Sequence, residues 1–220
     1  AQLDEDNGFT IVGRNIAVSH KFLVKNDRVN FRDKQISVRS TKFTTLVAVT
    51  EMTRNLLLGY FLKWDPMIKG VPPQRPSEEH LEYGQKIVAL FFDKLANLPS
   101  VSKMVNGTPP ADLRNFPKDP NEVDPLKEPE NPGEANILFR PIGQQALARA
   151  IGEIISVESK QPVLADDTLD QSALDDISAR LDKLFDQLTE LDEQGVFTYM
   201  NEPNSLWYGV FYDWFNEKIR

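Results

Sequence analysis

Cysteine is missing from all 220 residues. No disulfide, thiolate zinc site or thiol nucleophile can therefore be built, and the absence fits a reducing compartment. Histidine occurs twice, as His20 and His80, far apart and each without a second histidine at helical spacing. A zinc site needs three or four converging ligands, so no metal is expected, and each histidine reads as an exposed helix residue. The 11 glycines are scattered singly, with no GxGxxG and no Walker-type glycine–lysine motif. Nucleotide hydrolysis thus has no support, and the lack of a GxSxG elbow removes a serine hydrolase as well. No stretch approaches the roughly 20 apolar residues that span a bilayer. The start, Ala1-Gln2-Leu3-Asp4-Glu5-Asp6, lacks the basic and apolar regions of a signal peptide. The expectation is a cytoplasmic protein with no membrane contact, no catalytic residue and no cofactor. The chain also begins without Met, and we expect it to be part of a longer protein.

What is present is an ordinary globular composition, with enough apolar residues for a real core. Charge is the unusual property. The net value of -8 argues against a generic nucleic-acid binder, yet the distribution is uneven. Arg14, Lys21, Lys25, Arg28, Arg32, Lys34, Arg39 and Lys42 crowd one stretch, opposed there by Asp27 and Asp33 alone. The segment from Asp166 to Glu193 reverses the balance: ten carboxylates face Arg180 and Lys183. Such a chain can serve two partners, or its two ends can face each other.

Periodicity predicts helices over most of the chain. Phe9, Val12, Ile16 and Leu23 mark a first one running to Val24, with Asp6 or Asn7 as its cap. Val29-Asn30-Phe31 and Gln35-Ile36-Ser37-Val38 read as short extended pieces. Ser40 or Thr41 is expected to cap a helix carrying Phe43, Leu46, Val47, Thr50 and Leu57, stopped near Gly59. Ser77, with Glu78 and Glu79 behind it, starts a further helix that Pro99 ends. Seven prolines from Pro109 to Pro132 make residues 105–136 a loop. Pro141 opens the next helix. Leu174, Ile177, Leu181, Leu184, Leu188 and Leu191 alternate steps of three and four on an acidic helix stopped by Gly195. An aromatic helix is expected after Asn204 or Ser205.

The basic segment is the best nucleic-acid candidate, because Lys and Arg neutralise phosphates and release counterions. Phe22 and Phe31 lie within it and could stack on bases or enter the core. Gln144 to Gly152 has small-residue spacing like the start of a helix-turn-helix, but the apolar pattern continues through Glu153-Ile154-Ile155, which favours one packing helix.

Three segments carry a family resemblance. They are Val29-Asn30-Phe31 with Ile36-Ser37-Val38-Arg39-Ser40 and Lys42-Phe43-Thr44-Thr45-Leu46, ending in Leu56-Leu57-Leu58-Gly59; then Asn136-Ile137-Leu138-Phe139-Arg140-Pro141-Ile142-Gly143-Gln144-Gln145-Ala146-Leu147; and Asn204 to Asp213. In order and spacing they resemble the C-terminal region of the DndB-like, DGQHR-domain proteins. The resemblance implies a role in DNA phosphorothioate modification, including repression of the modification operon by DNA binding. The Asp-Gly-Gln-His-Arg signature itself is absent from this chain, and no catalytic residue is carried over.

The expected fold is mainly α: a single helical domain over residues 1–220, with at most a small β element near residues 29–38. The expected DNA contacts are Lys21, Lys25, Arg28, Arg32, Lys34, Arg39 and Lys42 in the basic segment 14–42, with Arg140 and Gln144 as further polar contacts. Helix 170–193 would pack internally, meet a protein partner or self-associate. Two alternatives accompany the regulator reading: an interaction or oligomerisation module that does not bind DNA, and a fragment of an enzyme whose active site lies in a preceding domain.

Overall fold

A computed structural model describes residues 7–37, 39–61, 64, 76–115, 136–158 and 171–198, the last two positions of 136–158 by backbone alone. The expected aromatic helix after Asn204, and the third segment of the family resemblance, lie outside the described residues. The fold is mainly helical. Eight α-helices carry it, and the sole strand pair among the described residues is two residues long.

Helix α1 (Gly8–Ser19) is capped by Asn7, whose side chain accepts the Phe9 amide at 2.9 Å. It buries Phe9, Val12 and Ile16. The helix expected to run on to Val24 breaks at His20, which is extended, and resumes as α2 (Lys21–Val24). Asn26 and Asp27 then adopt positive φ (60° and 52°), a conformation these two residue types tolerate best after glycine. That turn delivers β1 (Val29–Asn30), which pairs in parallel with β2 (Thr44–Thr45), Val29 opposite Thr44. Gln35, Ile36 and Ser37 form no strand.

Helix α3 (Leu46–Leu57) starts later than the sequence suggests. Its cap is Thr45, whose hydroxyl accepts the Ala48 amide at 3.0 Å, and not Ser40 or Thr41. Ser40 instead accepts the Lys42 amide at 3.1 Å inside the preceding loop. Phe43 is therefore buried from a loop and not from the helix. Helix α3 is the central element, with α1 on one side and α7 on another; its Ala48, Val49, Met52 and Leu56 are inaccessible to water.

Helix α4 (Glu78–Leu95) begins as expected, with the Ser77 hydroxyl accepting the His80 amide at 3.2 Å and two glutamates in the first turn. Pro99 does more than terminate: it opens α5 (Pro99–Val105), and Pro110 opens α6 (Pro110–Arg114). A proline at the first helical position gives up an amide that had no partner anyway. Order thus reaches into the segment read as a loop, whose residues 116–135 lie outside the described ones.

A 3-10 turn (Ile137–Phe139) leads into α7 (Pro141–Glu158), which passes Gly152 without a break and so is no helix-turn-helix. Helix α8 (Gln171–Glu193) ends where Gly195 takes φ 76° and the Val196 amide returns to the Leu191 carbonyl. Its buried side is Leu174, Ile177, Leu181 and Phe185, then Asp192. That stripe follows 3.6 residues per turn, as a straight helix on a core must, and the strict leucine seam drifts off it until Leu191 is exposed. The described helices share one core, threaded by edge-to-face ring pairs such as Phe22–Phe43 and Phe43–Phe139.

Candidate nucleic-acid interface

Between β1 and β2 the chain leaves the core at Phe31 and returns at Phe43, and three sets of bonds fasten the excursion. At the neck, Lys42 forms a close ion pair with Asp27 and donates to its carbonyl at 2.9 Å. At the outgoing corner, the Asn30 side-chain oxygen accepts the amides of Arg32 (3.0 Å) and Asp33 (3.2 Å). From below, Arg114 of α6 donates to four carbonyls: Nε to Phe139 at 2.8 Å, Nη1 to Ser37 at 3.2 Å and Ser40 at 3.0 Å, and Nη2 to Lys42. Arg114 is 2% exposed. Burial, with a smaller contribution from Arg140, lowers its pKa to about 10. It therefore remains charged at neutral pH, and its charge is spread over carbonyl dipoles.

The expected contact residues divide into two groups. Arg28 is 2% exposed: its Nη1 donates to the Phe22 carbonyl at 2.8 Å, and its guanidinium carbon lies 4.8 Å from the centre of the Phe22 ring. Its own carbonyl accepts the amides of Phe43 (2.8 Å) and Thr44 (3.1 Å). Desolvation lowers its pKa. Arg28 is thus built into the fold beneath the loop and does not face solvent. Gln144 is wholly buried and donates to the carbonyls of Phe43 (3.1 Å) and Leu138 (2.9 Å). Arg140 is half-buried, with Nη2 3.4 Å from the Arg114 carbonyl. Lys42 is occupied at the neck, and Lys21 lies 3.2 Å from Asp93 of α4 while its side chain stays 83% exposed. Lys25, Arg32, Lys34 and Arg39 are exposed. Phe22 belongs to the core, whereas Phe31 is 49% exposed.

The sequence reading did not find Arg114. It sits in what looks like a proline loop, and no spacing rule marks an arginine that reaches 70 or more residues back along the chain.

The acidic helix spends its apolar side on α4, α5 and α7. Asp192 is also buried there: it accepts the Ser100 amide at 2.8 Å and the Ser100 hydroxyl at 2.5 Å, while Asn136 donates to that hydroxyl at 2.7 Å. His20 is buried too, contrary to the expected exposed helix residue. It lies against the Phe92 ring with Nε2 3.5 Å from Asp93. Desolvation lowers its pKa, partly offset by Asp93. Among the described residues no three His, Asp or Glu side chains converge to hold a metal. No helix of the described residues is long and apolar enough to cross a membrane. No family model, no curated protein and no solved structure matches the chain.

Proposed function

We propose that this chain is a non-catalytic, DNA-contacting accessory or regulatory protein of a bacterial DNA-modification or defence system. The phosphorothioate class is the setting its family resemblance implies. The observation that carries the DNA contact is the fastened loop between β1 and β2. Its exposed cations, Arg32, Lys34 and Arg39, with Lys25 just before it, are opposed within the loop by Asp33 alone. Arg114 gathers three of the loop's carbonyls and holds the loop in one shape. Fixing those carbonyls removes ordering entropy that binding would otherwise cost. Outside the basic segment 14–42 the chain is acidic, so phosphate contact would centre on this loop. Arg28 and Gln144 drop out of the contact set because they are consumed in holding it.

The test is DNA binding over a salt series, comparing the chain with the triple variant Arg32→Ala, Lys34→Ala, Arg39→Ala. Arg28 stays untouched, since its loss would loosen the loop's base and confuse binding with folding. The expected result is salt-sensitive binding whose log–log slope falls in the variant by about 1 for each phosphate contact removed. No binding by the parent chain at low salt would overturn the reading, as would equal slopes for the two proteins.

A further inference from the structure

A phosphate-binding loop accounts for the cations but not for Phe31. Every other described phenylalanine is buried, at 8% exposure or less, whereas Phe31 is 49% exposed. Nor is it a frayed end. Val29, two residues before it, is buried and paired in β1, and the two bonds from the Asn30 side chain to Arg32 and Asp33 turn the backbone around it. Phe31 is therefore the residue at the corner of a fixed turn, flanked on its C-terminal side by exposed Arg32 and Lys34. Phe31 stands outside the shared core, with about half of its surface open to water.

An aromatic face beside cations matches one feature of nucleic acid: a base with an open face, attached to a phosphate on each side. Aromatic stacking on such bases is sequence-tolerant and is typical of single-strand binders. A base inside an intact duplex is already stacked on both faces and offers Phe31 nothing. We propose that Phe31 stacks on an unpaired base, with Arg32 and Lys34 on the adjoining phosphates. The loop would then prefer single-stranded or bulged DNA to intact duplex. This rests on the DNA-contacting reading above and adds the class of DNA. A membrane surface also takes cations and an aromatic ring, but such anchoring needs a broad apolar face, and among the described residues of the loop Phe31 is the one exposed large hydrophobic side chain.

The experiment measures binding of the whole chain to three short labelled oligonucleotides: a single strand, its blunt duplex, and the duplex with a one-base bulge. Phe31→Ala and Phe31→Trp are compared with the parent, with circular dichroism confirming unchanged helicity. The expected result is tighter binding to the single strand and the bulge than to the duplex. Phe31→Ala should lose that preference, weakening those two ligands by roughly 10-fold with the salt slope unchanged, and Phe31→Trp should keep it. If Phe31→Ala binds all three like the parent while the charge variants weaken, stacking is wrong and phosphate contact stands. If the parent binds none of the three at low salt, both readings fall. Phe31-dependent binding to anionic vesicles without oligonucleotide binding would assign the loop to membranes and overturn the proposal.

Discussion

Asp192 holds Ser100 twice, once at the backbone amide and once at the hydroxyl, joining the last turn of α8 to the first turn of α5. The carboxylate supplies what the short helix α5 lacks. Leu98 offers no side-chain cap, so the orphan Ser100 amide depends on a residue 92 positions away. The hydroxyl in turn accepts from Asn136, whose own oxygen caps the 3-10 turn through the Leu138 amide. Asp192→Ala strands a buried donor and should cost about 1–3 kcal/mol. Asp192→Asn, which keeps one acceptor oxygen, should recover part of it. Denaturant unfolding of the three proteins checks the order; equal midpoints would show that water satisfies Ser100 as well as the carboxylate does.

Arg114 should matter to binding although it cannot touch a ligand. Arg114→Lys keeps the charge but loses the planar fork that reaches Ser37, Ser40, Lys42 and Phe139 together. The expected loss of stability is on the order of 3 kcal/mol, the scale of one or two hydrogen bonds to a charged group. Amide exchange should quicken in residues 37–42 more than in α4, and DNA affinity should fall with the loop. Uniform exchange rates across the chain would mean that the loop does not depend on this side chain.

His20 gives the stability a pH dependence with a definite sign. Its folded-state pKa lies below the ordinary 6.5 because burial penalises the imidazolium, with Asp93 pulling the other way and Lys21 adding to the lowering. In the window below 6.5 the unfolded chain therefore binds a proton that the folded chain refuses. Stability is full above about 6.5 and declines as the pH falls through that window. His20→Gln should flatten the fall in melting temperature between pH 7 and the lowered pKa. A decline of unchanged size in the variant would place the titration elsewhere.

Much of this fold is legible where local chemistry decides. The Ser77 cap with Glu78 and Glu79, the Gly195 stop and Pro141 in a first turn each follow from one backbone group and one neighbour. The start of α3 is not legible in that way. Ser40, Thr41 and Thr45 are comparable caps by type, and the choice falls on Thr45 because Arg114 and Gln144 draw the carbonyls of Ser37, Ser40, Lys42 and Phe43 into the loop's base. The basic segment shows the same divide. Its charge is plain in the sequence, but which cations face water is set by long-range burial, so Arg28 and Arg32 read alike and end up on opposite sides of the surface.

Gly152 lies where α7 packs directly on the backbone of α3. A Cβ there would lie 2.1 Å from the Asn55 carbonyl oxygen and 3.0 Å from the Leu56 Cα, both backbone atoms of α3. Neither can move aside as a flexible side chain could. In an isolated helix, glycine to alanine would stabilise by up to about 1 kcal/mol. Here the methyl must push α7 away from α3, and overpacking of this kind typically costs about 1–3 kcal/mol. The steric term should win, giving a net loss. It should also loosen the bonds that cross the same interface, Asn55 to the Gln145 carbonyl and Tyr60 to the Ile155 carbonyl. Thermal unfolding of Gly152→Ala decides the sign, and a raised melting temperature would mean that the two helices are not in backbone contact at this crossing.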